Sequence, residues 1–264
     1  MQHDELRAGR FQEVSWVAQT GSTNQDLAIE AVRDPTTARV LFTDEQTAGR
    51  GRLDRSWEQD PGGGLMVSFY VPWLDAPTAH LVPTALGVAI VDTIAQTNRS
   101  VGLKWPNDVV VATGDEPELV GRKLGGMLSS SVVLDGDFQG VVAGLGCNVT
   151  WPPPFFDQLP EAAALDHLSG KPVTPRQLAL SLVPTFDRQL QRVQTLGAGQ
   201  LLDAYRTRCV TLGQRVRVEV GESVVTGRAT DIDPSGSLLV DVDGRQQRIA
   251  VGDVVHLRSS SETN

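Results

Sequence analysis

Three arginines set among glycines, Gly49-Arg50-Gly51-Arg52-Leu53-Asp54-Arg55, stand out in a chain whose formal charge is −9, from 23 Lys and Arg against 32 Asp and Glu. Glycines let a backbone approach a ligand closely, and each guanidinium contact to phosphate or carboxylate is worth about 1.5–3 kcal/mol. The loop reads as an anion clamp, with a solvated surface loop as the plain alternative. It is not a Walker A loop, because no Gly-Lys-Ser/Thr follows and no helical pattern begins there. Lys104-Trp105-Pro106-Asn107-Asp108 gathers a cation, an aromatic ring, an amide and a carboxylate between apolar runs, which marks either a site or a turn. Lys123, within Arg122-Lys123-Leu124-Gly125-Gly126, opens an apolar strand, where a lysine either faces a ligand or snorkels to solvent. Gly144-Leu145-Gly146-Cys147-Asn148 runs into prolines instead of a helix, so it fails as a dinucleotide fingerprint and reads as a tight strand crossing. Cys147 has no histidine near it along the chain to act as its base.

The apolar pattern supplies a frame for these residues. After Ser22-Thr23-Asn24-Gln25, Leu27 and Ala31, then Ala28 and Val32, recur at a spacing of four, which predicts a helix with Ser22 and Gln25 as its capping box. Residues 39–43 and 65–71 predict buried strands on either side of a Gly and Arg loop at 46–56. Residues 78–98, apolar on almost every side, predict a central buried helix. Short strands at 109–111, 127–134 and 140–148, joined by turns such as Asp135-Gly136-Asp137, predict a mixed or antiparallel sheet. A proline-rich connection at 151–160 leads to Thr174-Pro175-Arg176-Gln177, which opens a helix with the stripe Leu178, Leu182, Phe186 and Leu190. Pro184 is expected to kink or interrupt it. From Thr211 the pattern alternates, and about five short strands in ~50 residues predict a small SH3-like β-barrel. The fold class is α+β, a mixed sheet backed by helices, with a first domain over 1–210 and a second over 211–264.

Composition narrows the partners. A surface of net negative charge repels phosphate backbones and anionic lipid, so any polyanion must meet a local patch. No apolar run approaches the ~20 residues a bilayer needs, and the first eleven residues lack the apolar core of a secretory signal. A cytoplasmic, membrane-free protein is expected. Cys147 and Cys209 are too few for a disulfide framework, and four scattered His give no zinc spacing.

Taken in order, Ser22-Thr23-Asn24, Gln46 with Ala48-Gly49-Arg50-Gly51-Arg52, Trp57, the motif at 104–108, the motif at 122–126 and Gly144-Leu145-Gly146-Cys147-Asn148-Val149 resemble the motif set of biotin–protein ligases. The resemblance covers nearly the whole chain and implies a catalytic domain akin to class II aminoacyl-tRNA synthetases and lipoate ligases. It implies ATP-dependent ligation of biotin, through biotinyl-5'-adenylate, to a lysine of a biotin carboxyl carrier domain of acyl-CoA carboxylases. Mg²⁺ would accompany the ATP, with ligands the sequence leaves unknown. The implied biotin contacts are Ser22, Thr23, Asn24, Gln46, Arg50, Gly51, Arg52 and Lys123. The implied ATP and adenylate contacts are Arg50, Arg52, Arg55, Trp57, Asn107, Lys123 and Asn148. Lys123, Arg52 and Asp108 carry the implied catalytic roles, Asp108 either orienting Mg²⁺ or accepting a proton from the incoming amine. Only ten residues precede Phe11, too few for a winged helix-turn-helix, so a ligase-only type without DNA binding is expected. A lipoate or octanoate ligase or transferase and a non-catalytic biotin sensor are the alternative readings.

Overall fold

The protein was analysed as a computed structural model that describes residues 9–114, 116–151, 159–221 and 223–257. Most of the predicted proline-rich connection, 152–158, lies outside the described residues. The first strand, β1 (Glu13–Thr20), runs parallel to β2 (Arg39–Gln46), and α1 (Thr23–Arg33) connects them. Then follow β3 (Gly64–Val71), β4 (Val101–Lys104), β5 (Asp108–Val111), β6 (Lys123–Leu134) and β7 (Asp137–Asn148). They join a seven-stranded sheet in the order β1-β2-β3-β7-β6-β5-β4, antiparallel everywhere except the first pair. The expected mixed sheet is therefore present. Strand β1 escaped the pattern because it lies at an edge and its apolar residues, Val14, Trp16 and Val17, are not evenly spaced.

Strand alternation divides the sheet into two faces. Leu41 and Tyr70 join Leu27 and Ala31 of α1 in a small cluster, while Val40, Phe42, Val67 and Phe69 join the main core on the other side. That main core is built on α2 (Leu81–Ala95), α3 (Pro175–Leu196) and α4 (Ala198–Arg208). Helix α3 runs unbroken through Pro184, contrary to the expected interruption. Its stripe of Leu178, Leu182, Phe186 and Leu190 is buried to within 1% of full, and packing on that scale offsets the ~3 kcal/mol an interior proline costs. At its start, Thr174 and Gln177 form the expected reciprocal cap.

The last third changes character. Strands β8 (Arg215–Val220), β9 (Ser223–Ile232), β10 (Leu238–Val242), β11 (Arg245–Ile249) and β12 (Asp253–His256) form an antiparallel sheet in the order β11-β10-β9-β8-β12. No ladder joins β11 to β12 among the described residues, so this small β-unit is an open five-stranded sheet and not a barrel closed by hydrogen bonds. Its inward residues Val216, Val218, Ala229, Leu238 and Val240 are continuous with the main core. Two hydrogen bonds from Trp105 tie the sheets together: its backbone N–H donates to Thr211 Oγ1 at 3.0 Å, and its indole Nε1 donates to the Gly236 carbonyl at 2.9 Å.

Candidate active site

Where β2, β3, β6 and β7 turn toward the second sheet, a cavity of about 370 Å³ opens. Its floor at one end is neutral and polar. The N-terminus of α1 meets the end of β2 there, and Gln46 Oε1 accepts from the Thr23 N–H at 2.9 Å and the Thr23 hydroxyl at 3.1 Å. Gln46 thus satisfies the N–H of the first helical residue, a donor the predicted Ser22–Gln25 box would not reach. That box does not form; the Ser22 side chain makes no cap bond and lies on the cavity wall. With no cap bond to make, the Ser22 hydroxyl stays available to the cavity. Ser68 Oγ, buried on β3, lies within hydrogen-bond distance of Thr23 Oγ1 at 2.7 Å and of Asn24 Oδ1 at 2.6 Å and donates its one proton to one of them at a time, while Asn24 Nδ2 donates to the Leu128 carbonyl at 3.0 Å. Sequence reading missed Ser68, although it is the lone polar residue in the run Leu65-Met66-Val67-Ser68-Phe69-Tyr70-Val71.

Glycines on β6 and β7 make room for the rest. A Cβ at Gly144 would lie 2.3 Å from Asn24 Oδ1, and one at Gly146 would lie 2.4 Å from the Trp57 ring. The tight crossing expected at 144–146 is real, and its purpose is to seat an amide and an indole against bare backbone. Gly126, paired with Gly146, leaves space for Lys123, whose ammonium stands 5.7 Å from the Trp57 ring centroid.

The other end of the cavity is charged. Lys123 Nζ pairs with Asp108 Oδ1 at 2.7 Å, joining the start of β6 to the start of β5. The Gly and Arg loop folds over this end as a small turn of its own: Gly51 N–H donates to the Arg55 carbonyl at 2.7 Å and Trp57 N–H to that of Gly49 at 3.0 Å. Arg52 Nη1 donates to Asn107 Oδ1 at 3.1 Å and to the Gly252 carbonyl at 3.3 Å. Asp253 on β12 lies 3.8 Å from Arg52 and 2.5 Å from Arg55. The second sheet therefore supplies part of the wall, with Glu219, Asp253, Val254 and Val255, none of which the sequence pointed to.

Ser22, Thr23, Asn24, Gln46, Arg50, Gly51, Arg52, Arg55, Trp57, Asn107, Asp108 and Lys123 all line this one cavity. Asn148 does not line it; its Nδ2 donates to the Ala163 carbonyl at 3.0 Å, and its Oδ1 is buried without a partner among the described residues. Cys147 is fully buried, and burial pushes its thiol up to about 12, which leaves it unreactive.

Residues 16–148 match the biotin/lipoate A/B protein ligase family, and residues 211–257 match the biotin protein ligase C-terminal domain. The chain belongs to the biotin/lipoate A/B protein ligase family. Within it, the chain is 36% identical over 257 residues to a biotin–[acetyl-CoA-carboxylase] ligase of Mycobacterium tuberculosis, covering 94% of this chain and 90% of that protein. It is 26% identical to a protein of the same name from Paracoccus denitrificans, over 90% of this chain and 98% of the other. The fold is also that of a biotin protein ligase from Aquifex aeolicus solved with biotin and ATP, with a TM-score of 0.74 and 23% identity over 94% of this chain and all of that one.

Proposed function

We propose that the protein is an ATP-dependent biotin–protein ligase acting on the biotin carboxyl carrier domain of an acyl-CoA carboxylase. The observation that carries this is the division of one cavity into a neutral polar floor and a cationic end. A urea ring is neutral and offers two donors beside one acceptor, which suits Ser22, Thr23, Asn24 and Gln46. A carboxylate meeting an α-phosphate needs cations, which Lys123, Arg50, Arg52 and Arg55 supply. In the first step a biotin carboxylate oxygen attacks the α-phosphorus, the bond to the β-phosphate breaks, and pyrophosphate leaves with its electron pair. Lys123 touches both anions as they meet, and Trp57 covers the adenine while Asn107 bonds the adenylate. In the second step a carrier lysine amine attacks the acyl carbon and AMP leaves. Asp108, at 2.7 Å from Lys123 Nζ, fixes that ammonium and takes the proton of the incoming amine.

Mg²⁺ would accompany the nucleotide. Asp108, a carboxylate in the cavity lining, would be the side chain to hold such an ion. When bound it would neutralise phosphate charge beside Asp108. The remaining partners of this reading are biotin, ATP and the carrier domain, with neither duplex DNA nor a membrane, in the cytoplasm. Residues 1–210 form its class II synthetase-like catalytic domain, and 211–264 its SH3-like domain.

The test is pyrophosphate release from purified protein with ATP, Mg²⁺ and biotin, together with chromatographic detection of biotinyl adenylate. Biotin should support release and lipoate or octanoate should not, since an alkyl chain would leave the polar floor unpaired. Equal turnover with lipoate would sink the biotin assignment.

A further inference from the structure

Five cations line the cavity, and their partners differ. Lys123 has Asp108, and Arg52 and Arg55 share Asp253. Arg50 is exposed on the loop. Among the described residues Lys104 is neither exposed nor ion-paired. It ends β4 as a half-buried residue held by the ladder opposite Asp108, and among the described residues no carboxylate lies within 4.0 Å of its ammonium. Its charge still reaches its surroundings, because it adds to the burial that pushes the His256 imidazole down to about 4. A cation fixed on a strand, aimed into a cavity and lacking a carboxylate is preorganised for an anion.

The proposed chemistry leaves one anion without a side-chain cation. Lys123 and the loop arginines serve the carboxylate and the α-phosphate, but the β- and γ-phosphates also enter and then depart as pyrophosphate. We propose that Lys104 binds the β- and γ-phosphates of ATP and holds the pyrophosphate as it leaves. The inference rests on the adenylation reading of the cavity. As the bond from the α-phosphorus to the bridging oxygen breaks, the electron pair moves onto that oxygen, and the Lys104 ammonium offsets the charge that collects on the leaving group. The carrier domain is the rival occupant of this side of the cavity, since Glu219, Val254 and Val255 border it. Its reacting group arrives as a lysine, however, and an unpaired Lys104 repels a second ammonium.

Lys104→Met keeps the aliphatic stem and removes the charge; Lys104→Gln serves as a second charge-free variant and Lys104→Arg as the charge-keeping one. With the full chain, four quantities are measured: biotin binding without nucleotide, KM for ATP in adenylation, inhibition by added pyrophosphate, and transfer from preformed biotinyl adenylate to a carrier domain. The two charge-free variants should raise both the ATP KM and the pyrophosphate inhibition constant about tenfold, the scale of one charge-assisted contact. Biotin binding and transfer should stay within about twofold, and Lys104→Arg should recover most of the ATP and pyrophosphate effects. ATP and pyrophosphate constants that do not move overturn the proposal, and a loss confined to transfer assigns Lys104 to the carrier instead. A parent protein that releases no pyrophosphate overturns the adenylation reading itself, a result distinct from an active parent with indifferent variants.

Discussion

Lys123 is explained by its neighbours and not by packing: its side chain is 38% exposed, it touches Asp108, and it lies beside the Trp57 ring over glycine backbone. A partly exposed pair of this kind contributes about 1 kcal/mol or less to folding, so Lys123→Ala should leave the thermal melt nearly unchanged. In the adenylation step proposed above, the same ammonium would face two anions in a partly dry site, where one contact in the transition state is worth about 3–4 kcal/mol. Pyrophosphate release at saturating ATP and biotin should fall about 10²- to 10³-fold, and a loss of under about tenfold would remove Lys123 from the central step. Lys123→Arg should also be poor, because a planar fork does not replace a compact ammonium between two oxygens. These residues were legible because their types are costly anywhere but at a site: a lysine opening an apolar strand, arginines among glycines, an amide and a carboxylate side by side. Ser68 was not legible in the same way, since one hydroxyl in a buried strand costs little once it is bonded to Thr23 and Asn24.

At the scale of elements, the loop between β2 and β3 decides access to the charged end of the cavity. It carries the one positive-φ residue of its turn, Leu53 at φ 53°, with that side chain 69% exposed, so few apolar contacts hold it. Its tethers are ionic, Arg52 and Arg55 to Asp253. Biotin with ATP should therefore slow tryptic cleavage at Arg50 and Arg52, because the adenylate adds an anion to the closed form. Asp253→Asn should speed cleavage of the ligand-free protein about two- to fivefold, which is what 0.5–1 kcal/mol of a partly exposed pair allows. Identical cleavage rates in all three samples would mean that the loop is no clamp. The strands around the loop were readable from apolar runs. Its partner on β12 was not, since Asp253 lies 198 residues from Arg55 and no local pattern reports a contact at that separation. The cap of α1 was misread for a related reason: the short-range box expected at 22–25 does not form, and the first helical N–H is met by a glutamine brought in by tertiary structure.

Over the whole molecule, the two sheets share one hydrophobic core and one junction, where Trp105, Thr211 and His256 meet. His256 Nε2 lies 3.1 Å from Thr211 Oγ1, and burial, aided by the charge of Lys104, holds its imidazole down at about 4. The unfolded chain binds that proton more readily, at about 6.5, so stability from this group is full above pH 6.5 and is lost as pH falls toward 4. Discounted for the solvent the ring still sees, the loss amounts to about 1–2 kcal/mol. Urea melts of the parent should show it between pH 7 and 5, and His256→Gln should flatten that dependence; an equal slope in both proteins would rule His256 out as its source. The overall architecture was legible because composition shifts visibly at Thr211, whereas the shared wall was not, being a product of how the two sheets meet. That wall also has a meaning for synthesis on the ribosome. Gly252 and Asp253 follow their loop partners Arg52 and Arg55 by 200 and 198 residues, so the loop is synthesised long before the strand that tethers it. The loop thus gains its tethers only once the second sheet has emerged and folded against the first.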